Sequence, residues 1–406
     1  MAIVEKKETI QPSARKLLSG VRFILVEGCD FLTTPPGGQL NFAKQLIKVY
    51  KNRIGLVGYT QHQEEIGRWT IKSFDDFDAP FFGIRLNPDS LARPTIPLRL
   101  SNLLWLKRFK QKILMDQKFN YFVQAPEILF EVSTWPKYSI CFRFPGVENP
   151  LLGSRYAYAK YFANTFDKYL AKSLDAVDCI LTSANSESVY HAACRIHRPE
   201  LVSRAQFFPT RVDTALFFPR DKQSARAELG LPSNLTIFVF SGRLNHVKGW
   251  RFVLESFSRF RDLYKDCMLV IAGDGEDRNE MLSEIEKLDL SKDTQMLGNV
   301  TQERLGVILS AADALLVGSL REGWPTATVE ALACGTPVVS TLVSGSAEII
   351  KEGVCGIVVD SRDPKQFVSA MRRVLQLPNQ ELRANSVSSY TTNTLESDLG
   401  KAWEAW

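Results

Sequence analysis

Short apolar runs rich in β-branched and aromatic residues alternate along this chain with longer stretches whose apolar positions recur at helical spacing. Residues 21–26 (VRFILV) read as a buried strand. A loop with Pro35, Pro36, Gly37 and Gly38 follows, and residues 39–50 carry a helical pattern. More strands are expected at 54–57, 119–126, 138–144 and 178–183, with a Tyr-rich helical segment over 155–174 before the last of them. Residues 208–221 (FPTRVDTALFFPRD) contain two prolines and no clear period, and read as a linker. After it the alternation resumes. Strands are expected at 236–241, 267–273, 314–318, 336–341 and 356–360, with helices from about Trp250 and from about Arg278. Strands alternating with helices argue for parallel α/β construction, here as two doubly wound domains in series.

Composition bounds this picture without changing it. The 406 residues are 45% hydrophobic and 23% charged, enough for two sizeable cores. A formal charge of +5 is too small to argue for nucleic acid, but suits a phosphorylated small molecule or an anionic membrane surface. The seven cysteines form no C-x-x-C pair, so neither a disulfide framework nor a zinc site is expected, and a reducing compartment is the simplest reading. The first residues have no signal-peptide pattern and no apolar run is long enough to span a bilayer, so a cytoplasmic placement is expected, with contact at the inner face of the membrane left open.

Ligands of open parallel sheets bind outside the carboxyl ends of the strands. Three loops of the second half stand there. SGRLNHVKGW (241–250) places Arg243 and Lys248 on one short loop after Gly242, two cations that match two phosphates. AGDGED (272–277) allows a tight turn and close backbone approach at Gly273, Asp274 and Gly275. Alone, the first reads as solvated loop charges and the second as a common turn. The third is REGWPTATVEALACGTPVV (321–339). Glu322 lies on a loop with Gly323 and Trp324, Pro325 fits the first helical position, and the amides around Thr326 to Thr328 are expected to face outward as an anion site. Glu330 lies farther along that helix, which Gly335 ends. Carboxylates repel phosphates and accept hydrogen bonds from neutral hydroxyls, so two carboxylates flanking an anion site fit a nucleotide sugar.

These residues resemble the retaining glycosyltransferases of family 4. Glu322 and Glu330 match the family's E-x7-E pair, followed by ALACGTPVV; Arg243 and Lys248 match its phosphate-binding pair; Gly273 to Gly275 match its GDG turn; and Leu297 to Val300, with Asn299, match the segment that meets the base. The likeness is strong over 236–375 and reaches the first half through Gly37, Gly38 and the linker. It implies an α/β GT-B fold, two Rossmann-like doubly wound domains facing across a cleft. The domains would be an acceptor-binding one at 1–208, a linker at 209–221 and a donor-binding one at 222–385, with a C-terminal helix at 386–406 packing back on the first. It also implies transfer of a hexose-type sugar with retention and without a metal, from a nucleotide diphosphate sugar to a saccharide or lipid-linked acceptor. In that reaction Glu322 would hold sugar hydroxyls, Glu330 the ribose, and Arg243 and Lys248 the departing diphosphate, while the loop at Gly37 and Gly38 closes over the phosphates.

The chain departs from the family where relatives carry a His in the first domain: CFRFPGVENP (141–150) has none, and Arg143 or Glu148 is the candidate acceptor-side replacement. SGSAE (344–348) also lacks the usual Gly-Gly before Glu348. A catalytically silent nucleotide-sugar-binding subunit and a nucleotide-sugar epimerase are the alternatives. Asp76-Phe77-Asp78 reads as a solvated acidic loop rather than a cation site, and His246 as an exposed loop residue. Residues 99–115 set Trp105, Leu106, Phe109 and Ile113 on one helical arc with Lys107, Arg108, Lys110 and Lys112 outside it. That arc reads as packing on the sheet, and is compatible with membrane contact if the basic flank stays exposed.

Overall fold

The structure, a computed structural model, describes residues 12–33, 38–87, 98–144, 149–152, 157–184, 186–377 and 380–404. Its contacts divide the chain into two compact units, one made of Met1–Phe208 with Leu395–Trp406 and one of Pro209–Thr394.

The first unit is built on β1 (Phe23–Val26), β2 (Ile54–Thr60), β3 (Trp69–Phe74), β4 (Phe77–Leu86), β5 (Phe119–Val123), β6 (Lys137–Phe144), β7 (Cys179–Thr182) and β8 (Ala205–Phe207). They form one sheet in the order β3-β4-β2-β1-β5-β6-β7-β8, parallel throughout except for the β3–β4 hairpin. Its helices are α1 (Pro12–Leu17), α2 (Gly38–Tyr50), α3 (Leu98–Leu114), α4 (Pro126–Val132), α5 (Ala163–Ser173), α6 (Ser186–Arg195) and α7 (Leu201–Arg204). Strand β1 shows why its apolar run is unbroken. Ile24 and Val26 enter the core under α3 and α4, Phe23 and Leu25 enter the core under α2, and all four are fully buried.

The C-terminal helix, Leu395–Ala402, belongs to this second core: Leu395, Leu399 and Trp403 are buried in it. The Trp403 ring lies 5.7 Å from Phe23 and its Nε1 donates to Ser139 Oγ at 2.7 Å, while Glu396 pairs with Arg53 at 2.6 Å.

Three features of this unit differ from the expected pattern. The β3–β4 hairpin falls outside the expected strands because β3 is a partly polar edge strand and β4 contains Pro80. Pro80 is tolerated because the pairing of β4 with β2 begins one residue later, at Phe81. The short β8 likewise sits at the opposite edge. The Tyr-rich segment is not one helix: a 3-10 turn over Ala157–Phe162 precedes α5.

The second unit contains β9 (Thr236–Ser241), β10 (Cys267–Ala272), β11 (Thr294–Gly298), β12 (Ala314–Val317), β13 (Val338–Thr341) and β14 (Gly356–Val359), all parallel. Their order, β11-β10-β9-β12-β13-β14, is the doubly wound order in which the chain reverses direction across the sheet between the first and fourth strands. Helices α8 (Lys222–Leu229), α9 (Trp250–Tyr264), α10 (Arg278–Lys287), α11 (Gln302–Ala311), α12 (Thr326–Ala333), α13 (Ser346–Ile349), α14 (Pro364–Val374) and α15 (Gln380–Asn385) complete it. On β9, Phe238 and Phe240 face one core while Ile237 and Val239 face the other.

The stretch read as a linker is ordered within this unit. Val212 bridges to Thr391, Arg211 donates to the Ser389 carbonyl at 2.7 Å, and Phe217 is buried in the core. Strand β11 lacked a clear signal because none of its five residues is fully buried.

Candidate functional site

The strand order of the second unit reverses between β9 and β12, which opens a crevice at their carboxyl ends. The loop after β10 is laced by backbone to the loop after β9 and to the end of β11. Gly242 N donates to Ala272 O, Leu244 N to Asp274 O, Asp277 N to Leu244 O, and Gly273 N to Gly298 O, all between 2.8 and 3.0 Å. Glycine is required at this contact: Gly273 has a φ of +148°, and a Cβ there would lie 1.9 Å from Gly242 O. Asp274 turns inward, its Oδ1 accepting from Gly275 N at 2.8 Å.

Asn245 caps the 3-10 turn that carries Lys248, accepting from Lys248 N at 3.2 Å. Lys248 Nζ then meets Glu322 Oε1 at 2.7 Å, and the Ser319 hydroxyl donates to the same oxygen at 2.6 Å. Leu320 N donates to Val247 O at 2.8 Å, and Arg362 Nη1 to Gly318 O at 3.0 Å, so the β12 loop is tied on two sides. The crevice thus brings together Lys248 and Glu322, which are 74 residues apart in sequence. Arg243 stands on the same loop, exposed, with its Nε 2.9 Å from Glu276 Oε2. Ser319, Glu276 and Arg362 carry no motif signal; Ser319 was recognisable only as a small polar residue after a buried strand.

The start of α12 differs from the expectation in one respect. Pro325 is not the first helical residue but the cap, at φ −78° and ψ 81°, and Thr326 opens the helix. This is an inverse γ-turn, so Thr326 N donates to Trp324 O at 2.9 Å while Thr328 N donates to Pro325 O at 3.0 Å. Two of the three amides expected to face outward are therefore engaged by the turn itself. The far end is a Schellman motif, with Gly335 N to Leu332 O and Thr336 N to Ala331 O at φ +76° for Gly335. Trp324 is buried, edge-on to Tyr390 with ring centroids 5.2 Å apart and packed under Gly345, so it braces the loop.

Glu330 is half-buried on α12. Desolvation pushes its carboxyl up to about 7, opposed by the Lys248 charge. Gly323 and Asn299 are exposed, and Thr326 and Val300 half-buried.

In the first unit the order reverses between β1 and β5, and the residues just past those strands, Glu27 and Gln124, meet there. Gln124 Nε2 donates to Glu27 Oε1 at 2.8 Å and to Gln39 O at 3.0 Å, and its Oε1 accepts from Arg143 Nη1 at 3.1 Å. Arg143, the candidate on the acceptor side, is buried with its guanidinium over the Phe42 ring at 4.1 Å and bonded to Gln124. Burial raises the Glu27 carboxyl to about 8 against the hydrogen bond from Gln124, with Glu127 adding to the rise and Arg143 opposing it. Neither Glu27 nor Gln124 was singled out from sequence; for Glu27 the available signal was a charged residue directly after the wholly apolar β1, whereas β5 contains Asn120.

Gly37 and Glu148 lie outside the described residues, and Gly38 opens α2. Asp76 sits in the β3–β4 turn, exposed and paired with Lys51 at 2.8 Å. His246 is exposed. No helix among the described residues is long and apolar enough to cross a membrane.

With this geometry in view, residues 221–390 match the family model "Glycosyl transferases group 1". A D-inositol 3-phosphate glycosyltransferase from Nocardioides sp. is 31% identical over 189 residues, which is 43% of this chain and 41% of that protein. The corresponding protein of Mycolicibacterium vanbaalenii is 29% identical over 263 residues, 56% of this chain and 57% of its own length. The chain therefore spans well under two thirds of the curated relatives it matches. Among solved structures, sucrose-phosphate synthase from Thermosynechococcus elongatus superposes with a TM-score of 0.74 at 17% identity, covering 94% of this chain and 98% of that one. Anabaena HepE in complex with UDP superposes with a TM-score of 0.69 at 15% identity, covering 95% of this chain and all of that one. The chain has the GT-B fold, two parallel-sheet α/β domains, and its residues 221–390 match the glycosyl transferases of group 1.

Proposed function

We propose that the chain is a retaining glycosyltransferase that moves a hexose-type sugar from a nucleotide diphosphate sugar to a saccharide or lipid-linked acceptor, in cell-surface polysaccharide or glycolipid synthesis. The observation that carries this reading is the pairing of Lys248 with Glu322 at the β9/β12 crevice, with Arg243 exposed on the same loop as Lys248. The match to glycosyl transferases of group 1 supports it, as do fold relatives that include HepE with UDP-glucose.

In this mechanism the C1–O bond to the diphosphate breaks while the acceptor oxygen bonds to C1 from the same face. The acceptor proton passes to the departing phosphate oxygen. Lys248 and Arg243 stabilise the negative charge that grows on that oxygen, so the reaction needs no resident metal. Glu322 accepts hydrogen bonds from sugar hydroxyls and Glu330 from the ribose.

A panel of nucleoside diphosphates and their sugars, read by thermal unfolding, tests donor binding. At least one is expected to stabilise the protein, by about 2.7 kcal/mol at a hundredfold excess over Kd. Stabilisation by none rules the reading out. Glu322→Gln keeps the shape of the side chain beside Ser319 and should lower turnover about a hundredfold or more, while the free nucleoside diphosphate still binds. Nucleotide release that requires acceptor separates a transferase from an epimerase, and nucleotide-sugar binding with no release under any acceptor identifies a silent binding subunit.

A further inference from the structure

Glu322 is held by two donors, and both use the same oxygen. Lys248 Nζ and the Ser319 hydroxyl meet Oε1 at 2.7 and 2.6 Å, and among the described residues Oε2 accepts no hydrogen bond. A carboxylate offers about four lone-pair sites, two on each oxygen, so Oε1 is filled and Oε2 is left to a ligand. A carboxylate paired with a lysine has no proton to give, so the Ser319 hydroxyl donates to it and does not accept.

The two donors are mounted differently. Lys248 carries its ammonium on a flexible four-carbon stem, 30% exposed, and an arriving diphosphate competes for its charge. Ser319 is buried, with its hydroxyl one carbon from the backbone. Its carbonyl is gripped from two sides. Thr341 Oγ1, at the end of β13, donates to it at 2.8 Å, and Arg362 Nη1, shortly after β14, donates to it at 3.3 Å. Arg362 is itself seated over the Phe252 ring at 4.5 Å, and the next amide, Leu320 N, is tied to Val247 O. None of these contacts uses the Lys248 side chain, so Ser319 stays in place when Lys248 turns to a phosphate.

We propose that Ser319 is a positioning residue for the sugar half of the donor: its hydroxyl holds Oε1 of Glu322 while the diphosphate draws on Lys248, and so keeps Oε2 as the oxygen that receives the sugar hydroxyls. This rests on the glycosyltransferase reading of the crevice and adds to it the origin of a preference. A bare nucleoside diphosphate needs the cations, whereas a nucleotide sugar also needs Glu322 held in one orientation. Without the Ser319 donor, Glu322 has Lys248 as its one fixed partner, and the cation that serves the phosphates is then also the group that must orient the carboxylate. The other role open to Ser319 is to fill space in the β12 loop, and volume and hydrogen bonding can be separated by experiment.

The probes are the nucleoside diphosphate and the nucleotide sugar that stabilise the protein most in the thermal panel, with UDP and UDP-glucose in that panel. Calorimetry gives the affinity of the full chain for each, and the readout is the ratio of the two, which requires no acceptor. In Ser319→Ala the nucleotide sugar is expected to lose about tenfold in affinity relative to the nucleoside diphosphate, the size of a lost hydrogen bond to a charged group. Ser319→Cys fills the same space with a weak donor and should behave as the alanine variant does. Glu322→Gln should lower the ratio as well, and adding Ser319→Ala to it should cost less than in the parent protein, because the hydroxyl acts through the carboxylate. A ratio that Ser319→Ala leaves unchanged, full recovery in Ser319→Cys, or additive losses in the double variant overturns the proposal. So does an equal loss for both probes, which would make Ser319 a support of the loop alone. If neither probe binds the parent protein, the glycosyltransferase reading falls with it; if both bind and the ratio is indifferent to Ser319, this inference alone fails.

Discussion

The two cations of the β9 loop are held very differently, and the difference matters for what each can do. The Arg243–Glu276 pair is largely exposed, the kind of contact worth about 0–1 kcal/mol, so the guanidinium can leave it for a phosphate at little cost. Lys248 and Glu322 are more enclosed, with side chains 30% and 11% exposed, and each neutralises the other. Losing either partner leaves a charge short of solvent. Glu330 adds a pH dependence. Its carboxyl is raised to about 7 in the fold, so its contribution to stability is full below the unfolded value near 4.5 and is lost as pH climbs through 7. Glu330→Gln is therefore expected to raise the unfolding temperature at about pH 8 and leave it unchanged at about pH 4. Nucleotide affinity should change the other way, rising between about pH 6 and pH 8 as the carboxylate becomes the better acceptor for ribose hydroxyls, and the Gln variant should lose that slope. Calorimetry across this range, in buffers of differing ionisation enthalpy, reads both effects; a wild-type affinity independent of pH would remove Glu330 from the nucleotide contacts.

At the scale of elements, the loops of the crevice touch backbone to backbone. Gly249, at φ +63°, shows the demand most sharply: a Cβ there would stand 1.7 Å from Gly318 O. Gly249→Ala should separate the β9 and β12 loops, pulling Lys248 from Glu322, and cost about 1–3 kcal/mol of stability with a larger proportional loss of nucleotide binding. Thermal unfolding with and without nucleoside diphosphate checks it; equal effects on both would mean that the loops tolerate the separation. The core strands that are buried on both faces were legible in sequence because their apolar runs are unbroken, as in β1, β9 and β12. The strands that were missed, β3, β4, β8 and β11, are at or next to sheet edges, where one-sided exposure and Pro80 dilute the pattern. Motif spacing singled out Arg243, Lys248, Glu322 and Glu330 as candidates, and the structure pairs Lys248 with Glu322. It could not find their supports, because Ser319, Glu276 and Arg362 matter through three-dimensional neighbours. The γ-turn at Pro325 likewise depends on a ψ angle that no residue type announces.

For the whole molecule, the notable fact is that the first unit is closed by the last part of the chain. Leu395, Leu399 and Trp403 sit in the same core as Phe23 and Phe122, and Glu396 pairs with Arg53. Trp403→Ala should cost the first unit about 3–5 kcal/mol while leaving unfolding of the second unit almost unchanged. Two-transition denaturation, with one probe in each unit, would show this as a shift of one midpoint; equal shifts of both would mean that the two units unfold together. The same connection sets an order of events on the ribosome. The second unit, Pro209–Thr394, has its whole core once residue 394 has emerged, whereas the first, begun earlier, still lacks one wall. The unit begun first thus completes its core after the second, because the apolar groove beside Phe23 and Phe122 is filled only once Trp403 has left the exit tunnel.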